Sequence, residues 1–278
     1  MATKKAASNT KKSSTRKAPS VASTTTVRTI KSTPAVKRGD FGTRFNRSVR
    51  SFDLWRTLGA EFVGSFLLAA AIITGSNQPI FALFAVVGIV LMFGAVSGSH
   101  INPAVTLAAW ATRRIGWLRA LGYVAAQLLG AALAFVALST FINGAPGVSE
   151  EAAMYGQSAP ELYRAAEQTV FAGKEWFVFF AEALGAAIIG YAFAASRRVT
   201  VDRLTGAFTY GLGVFVALMV GVSAASYVSA TAALNPAVAV ALQAFNWNEA
   251  WTFAIYAAGP VLGAIVGFIV HDILTPKA

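Results

Sequence analysis

The 278-residue sequence contains no cysteine and only two histidines, His100 and His271. Without cysteine, the chain forms no disulfide and offers no thiolate to a metal ion or to a catalytic site. The two histidines stand far apart in the chain, so we expect neither a metal site nor a cofactor. The sequence also lacks a recognisable nucleophile–base pair and a glycine-rich phosphate loop, and it gives no indication of an enzyme.

Charge is scarce as well, since 13% of the residues are charged and 56% are hydrophobic. The mean hydropathy of +0.58 is too high for a soluble domain, and several runs are long enough to cross roughly 30 Å of hydrocarbon. The net charge of +11 is concentrated in residues 1–50, where Asp40 is the only acid. This segment has no apolar periodicity, so we predict a disordered basic tail. Its composition also permits an organelle transit peptide or contact with anionic lipid, but we expect no nucleic-acid partner.

Six membrane spans are predicted, at about 54–75, 79–97, 117–139, 175–195, 205–224 and 250–270. Six spans place two arginine clusters on the side of the basic tail: Arg113, Arg114 and Arg119, and Arg197, Arg198 and Arg203. The positive-inside rule then predicts that both termini are cytoplasmic, and we expect the host to be the cell membrane. The predicted organisation is a tail (1–50), a membrane domain (51–272) and a short C-terminal tail (273–278).

The two halves of the membrane domain are copies of each other. YVAAQLLGAALAF at 123–135 matches YAAGPVLGAIVGF at 256–268, and AEFVGSFLL at 60–68 matches AEALGAAII at 181–189. The first repeat covers about 54–139 and the second about 175–270. Because each half has three spans, the halves enter the membrane from opposite sides, which makes an inverted 3+3 repeat. Small residues recur every four positions, as in Gly259, Gly263 and Gly267, and such ridges let helices approach closely.

The tripeptide Asn-Pro-Ala occurs once in each half, as Asn102, Pro103 and Ala104 and as Asn235, Pro236 and Ala237. Asn is a strong helix N-cap and Pro suits the first helical position, so each motif predicts the start of a short helix. About ten residues would span some 15 Å, half of the hydrocarbon. We therefore predict an all-α membrane protein with six transmembrane helices and two re-entrant half-helices that meet end to end. Each Asn carbonyl would cap its own helix and leave its NH₂ group to donate into a lumen.

These motifs, with SGSHINPAVTLA at 97–108, resemble the aquaporin, or major intrinsic protein, family over about residues 54–270. The resemblance implies a homotetramer in the lipid bilayer with one pore in each subunit. It also implies passive conduction of water and small neutral solutes.

The sequence departs from this family directly after the second motif, where Val238 stands in the place of the usual arginine. That arginine lines the outer constriction in most members. The other filter positions, projected by spacing from the two asparagines, are Ala82, Ser223 and Ala232. We expect a wide and apolar outer filter that admits glycerol, urea or ammonia besides water.

Glu61 and Glu182 lie within spans at equivalent positions of the two repeats. An acid inside a membrane is a functional candidate by default. The repeat symmetry and the family both favour a supporting role, in which each carboxylate accepts hydrogen bonds from a re-entrant loop. His100 precedes the first motif and is expected to tie that loop down, with a pore-lining sensor as the other reading.

Two other functions remain open from the sequence. A broken-helix secondary transporter would use Glu61 and Glu182 as coupling sites. A non-conducting scaffold of the same fold would use the basic tail.

Overall fold

The computed structural model describes residue 46 and residues 49–198 and 200–275. The predicted tail at 1–50 lies outside the described residues, apart from positions 46, 49 and 50. Residues 276–278 lie outside them too.

The described chain is helical, and none of its residues lies in a β-strand. Six helices are long and apolar enough to cross a membrane. In chain order the helices are α1 (Phe52–Thr74), α2 (Pro79–Ser97), α3 (Pro103–Ala111), α4 (Trp117–Asn143), α5 (Glu150–Met154), α6 (Glu175–Ser196), α7 (Arg203–Ser226), α8 (Pro236–Ala241) and α9 (Ala250–Leu274). The predicted fold is confirmed, with the six spans in α1, α2, α4, α6, α7 and α9. We call the side on which α1 begins the first face and the opposite side the second face.

The two short helices α3 and α8 begin at the predicted prolines. Asn102 and Asn235 are their N-caps, both in extended backbone conformation, with Pro in the first helical position. With 9 residues, α3 is about 14 Å long, whereas α8 has only 6 residues and is about 9 Å long. The second half-helix is shorter than predicted because Gln243 adopts a left-handed conformation (φ 58°) that ends it.

Close helix contacts repeat between the halves at glycine positions. A Cβ atom added at Gly130 would lie 2.2 Å from the carbonyl oxygen of Phe62, so α4 touches the backbone of α1. At the equivalent Gly263, an added Cβ would lie 2.0 Å from the carbonyl oxygen of Ala183, so α9 touches α6 in the same way. The small residues on the predicted ridges therefore set the spacing of both helix pairs.

One helix departs from its repeat partner. The last span, α9, contains a π-helical turn at Ala254–Ala258, which is followed by Pro260. Its repeat partner α4 is a regular helix and has Gln127 at the position equivalent to Pro260. Proline has no N–H to donate to the preceding turn, and the π-turn lies directly before Pro260, where that hydrogen bond is missing.

The long connection between α4 and α6 folds over the second face. The Ala165 N–H donates to the Leu242 carbonyl at 2.9 Å, and the Ala166 N–H donates to Thr231 Oγ1 at 3.0 Å. The connection is thus anchored to the segments on either side of α8.

The close contact at Gly263 predicts that a larger residue there destabilises the protein. Gly263→Ala should lower the free energy of unfolding by about 1–3 kcal/mol, because a methyl group there meets backbone that cannot move aside. Gly88→Ala is the matched control, since an added Cβ at Gly88 meets nothing within 4 Å. Thermal unfolding of the purified protein in detergent checks both variants, and equal unfolding temperatures would contradict the close contact.

Candidate functional site

The two Asn-Pro-Ala segments meet at the centre of the helix bundle and bind each other. Asn102 Nδ2 donates to the Leu234 carbonyl at 3.1 Å, and Asn235 Nδ2 donates to the Ile101 carbonyl at 2.9 Å. Each asparagine therefore binds the residue directly before the other asparagine. The two half-helices are joined tip to tip by this reciprocal pair of hydrogen bonds.

The same side chains cap their own helices. Asn102 Oδ1 accepts the Ala104 N–H at 2.8 Å, and Asn235 Oδ1 accepts the Ala237 N–H at 2.9 Å. An NH₂ group carries two N–H bonds, and the contact with the opposite segment uses one of them. The second N–H of each asparagine is left to bind a molecule beside it.

The residues before the asparagines are held in an unusual conformation. Ile101 has φ 46° and Leu234 has φ 55°, a left-handed conformation that costs a non-glycine residue of the order of 1–3 kcal/mol. This conformation lets the N–H of each residue face a buried carboxylate while its carbonyl faces the opposite asparagine. Strain at equivalent points of both repeats makes this centre a candidate functional site.

The carboxylates in question belong to Glu61 and Glu182, and neither side chain is exposed. Glu61 accepts the N–H groups of His100 (2.9 Å) and Ile101 (2.7 Å). Glu182 accepts those of Ala233 (2.5 Å) and Leu234 (2.7 Å). A buried acid requires such partners. In this geometry each glutamate fixes the loop that leads to one asparagine.

The His100 side chain is buried and packs beside its loop. Its Nδ1 lies 3.2 Å from Thr106 Oγ1, and its ring makes edge contacts with Tyr123 and Phe193 at centroid distances of 5.3 and 4.9 Å. It does not line the central cavity described next.

A cavity of about 20 Å³ lies where the two motifs meet. Roughly 10–15 Å³ suffices for one water molecule, so this cavity has room for about one water molecule at a time. Besides Asn102 and Asn235, the wall consists of one tyrosine and nine aliphatic residues: Leu68, Ile72, Ala82, Val86, Ile189, Tyr210, Val214, Leu218, Ala233 and Val238. The Tyr210 hydroxyl donates to the His100 carbonyl at 3.0 Å. The two asparagine amides are therefore the polar groups on the wall that keep a free donor.

Two of the four projected filter residues lie on the wall of this cavity, and a third is buried beside it. Ala82 and Val238 line the cavity towards the second face, and Ala232 is fully buried next to the lining residue Ala233. Val238 has no polar atom in its side chain, so this part of the wall is apolar.

The fourth projected residue, Ser223, does not lie at the cavity. It is exposed on α7, whereas Val214 and Leu218 of the same helix line the cavity. At about 100° per residue, Ser223 lies roughly 140° around the helix from Leu218. The projection from Asn235 is wrong here because it counts through the turn after α7, where the spacing is not helical. Val222 continues the face of Leu218 at about 40°.

Two polar residues in the turns between spans make contacts that the sequence did not predict. Asn77, in the turn from α1 to α2, is buried and donates from Nδ2 to the Ala232 carbonyl at 2.9 Å. Arg197, at the end of α6, donates from its guanidinium to the Gly98 carbonyl. The left-handed tolerance of asparagine suits the tight turn, but no local pattern shows that its side chain reaches the other repeat.

Among residues 49–198 and 200–275, no group of three or more acidic or histidine side chains is placed to hold a metal ion. The chemistry available at the centre is hydrogen bonding and the field of the two helix termini.

Comparisons with known proteins agree with this geometry. The family model described as "Major intrinsic protein" matches residues 48–271. The chain is 32% identical to "Aquaporin NIP3-1" of Oryza sativa subsp. japonica over 227 residues, which cover 77% of this chain and 66%, slightly less than two thirds, of the rice protein. It is 31% identical to "Lens fiber major intrinsic protein" of Lithobates pipiens over 82% of this chain and 84% of the frog protein.

A solved structure has the same fold. The X-ray structure of the aquaglyceroporin from Plasmodium falciparum superposes with a TM-score of 0.60 and covers 80% of this chain and 96% of that chain. The sequence identity is 18%, so this likeness concerns the fold alone.

The role of Glu182 can be tested by Glu182→Gln. The amide keeps one acceptor oxygen, so one buried N–H of Ala233 or Leu234 loses its partner, and the free energy of unfolding should fall by about 1–3 kcal/mol. Glu151→Gln, on exposed α5, is the control and should change it by less than about 0.5 kcal/mol. Chemical denaturation in detergent measures both values. Equal stability of the two variants would show that the loop does not depend on the carboxylate.

Proposed function

The chain belongs to the major intrinsic protein family, and from this premise we propose that it is a passive channel for water and small uncharged solutes. The observation that carries the proposal is the reciprocal asparagine pair, which lines the small cavity at the meeting point of two half-helices. A multi-pass membrane protein with this centre has the parts that a pore needs.

The mechanism follows from the groups on the wall. A water molecule entering the cavity loses most of its hydrogen-bond partners to aliphatic side chains, and its oxygen accepts the free N–H of Asn102 and then of Asn235. The N-terminal ends of α3 and α8 face each other here and carry partial positive charge. That field favours the oxygen end of a passing dipole and disfavours cations.

The filter composition supports a wider substrate range than water alone. Ala82 and Val238 are small or apolar and carry no fixed charge, and Val222 takes the place proposed for Ser223. Glycerol, urea and ammonia therefore join water as the proposed solutes. We assign the conducting function to residues 51–272 and none to the C-terminal residues 273–278.

Several further properties belong to the same proposal. The arginine clusters near α4 and after α6 support a cytoplasmic first face. Both termini then lie on the cytoplasmic side of the cell membrane. Family membership supports a homotetramer. The proposal includes no catalytic activity.

The buried glutamates favour a channel over an ion-coupled transporter. Both carboxylates bind two backbone N–H groups each, and neither lines the cavity. A residue that couples transport to an ion must be accessible to that ion, and the cavity reaches neither glutamate.

Val238→Arg tests the wide filter. In proteoliposomes, the arginine should lower the permeability to glycerol and urea at least tenfold, because a long charged side chain narrows the passage along the apolar wall. The permeability to water should fall by a smaller factor. Val238→Met is the matched control, with similar length and no charge, and should retain more of the urea flux. Stopped-flow light scattering measures all three permeabilities. Equal glycerol and urea fluxes in wild type and Val238→Arg would remove the basis for a wide filter.

The dependence of flux on the driving force tests the channel against the transporter. Urea flux should rise linearly with the urea gradient and stay unchanged when a proton or sodium gradient is imposed. Radiolabelled uptake into proteoliposomes gives both dependences. Saturation together with stimulation by either ion gradient would identify a transporter instead.

A further inference from the structure

We propose that Arg197 strengthens the exclusion of cations from this pore, by placing a fixed positive charge at the mouth on the first face, in addition to the field of the two half-helices. This inference rests on the proposed channel function. The proposed filter on the second face has no fixed positive charge, because Val238 stands where most family members have arginine. The inference concerns a positive charge at the opposite end of the pore.

Arg197 continues the wall of the pore beyond the central cavity. Ile189 lines the cavity, and Phe193 and Arg197 follow it at intervals of four residues on the same face of α6. The Phe193 ring lies 5.1 Å from that of Tyr210, another lining residue. The Arg197 guanidinium carbon lies 5.1 Å from the Phe193 ring centroid. The order from the centre towards the first face is therefore Ile189, Phe193, Arg197.

The guanidinium is held in place by neutral groups. It donates to the Gly98 carbonyl, at the start of the segment that leads to Asn102, and it stacks on the Phe193 ring in a cation–π contact. An added Cβ at Gly94 would lie 3.7 Å from the guanidinium, an ordinary van der Waals distance, so the guanidinium packs directly beside Gly94. A carbonyl and a ring orient the charge without cancelling it.

The nearby acids are bound to other groups. Among the described residues, Arg197 forms no salt bridge. The Asp202 carboxylate accepts the Thr205 hydroxyl and the N–H groups of Leu204 and Thr205, and these bonds, the hydroxyl first, lower its pKa. Glu61 lies deeper and is bound by its own loop. Arg198 and Arg203 line the same pocket near the first face, so the mouth stays net positive.

The other repeat makes the same kind of contact without charge. Asn77, in the turn between the first two spans, donates to the Ala232 carbonyl ahead of the second motif, as Arg197 does to Gly98 ahead of the first. Each turn thus braces the loop of the opposite half. The brace is a neutral amide on the second face and a guanidinium on the first, which places the fixed positive charge at one end of the pore.

Urea and guanidinium form a suitable pair of probes, because they share a planar shape and differ in charge. In proteoliposomes, Arg197→Gln should raise the guanidinium-to-urea permeability ratio at least threefold and keep the water permeability within twofold of wild type. Arg197→Lys keeps the charge and should keep the ratio within twofold. Arg198→Gln is the matched control: it removes the same charge from the same pocket, but the structure gives this arginine no contact with the Gly98 carbonyl, so it should raise the ratio less than Arg197→Gln does.

Two further arms keep the test decisive. Adding Val238→Arg to Arg197→Gln should lower the ratio again, because the charge returns at the other end. In the wild-type protein, raising the salt concentration equally on both sides should raise the ratio, because salt screens the field of a partly exposed charge; this arm needs no variant to fold.

The outcomes separate this inference from the proposed function. An unchanged ratio in Arg197→Gln, a guanidinium flux that stays at the level of protein-free vesicles, or an equal rise in Arg198→Gln would overturn the role of Arg197. Absence of water and urea flux in the wild-type protein would instead overturn the channel itself.

Discussion

The reciprocal bond between the two asparagines is the interaction on which the rest of this structure depends. A chain that breaks its helices inside a membrane must satisfy the backbone groups that it frees, at a cost of several kcal/mol for each group left unpaired. Here each Asn oxygen satisfies its own helix, and each Asn nitrogen satisfies a carbonyl of the opposite half. Neither half-helix is complete without the other, so the break is stable only where both meet.

Other features of the fold serve this meeting point. The two buried glutamates bind the N–H groups that the left-handed residues Ile101 and Leu234 turn away from the lumen. The glycines at 130 and 263 let the third span of each half lie directly on the first, which is the helix that carries the glutamate. The same parts occur twice because the halves are inverted copies, and the cavity lies on the axis between them.

Much of this arrangement was readable from the sequence because it depends on periodicity and on a repeated motif. The six spans, the half-helices and the glycine ridges follow from local residue patterns, and the structure confirms them. The projection of Ser223 was wrong, since it counted residues through a turn whose geometry only the folded chain reveals. The contacts of Asn77 and Arg197 were not predicted for a related reason: each residue donates to a carbonyl more than ninety residues away, and no pattern near either residue indicates that partner.

The most direct test of the account is the side of the membrane on which each half-helix ends. The chain has no cysteine, so single cysteines introduced as Arg113→Cys, just after α3, and Gln243→Cys, just after α8, would be the only thiols. Both positions are exposed. Labelling with a membrane-impermeant maleimide, applied to sealed right-side-out and inside-out vesicles, reports the accessible side. The account predicts that the two cysteines react from opposite sides; reaction of both from the same side would contradict it.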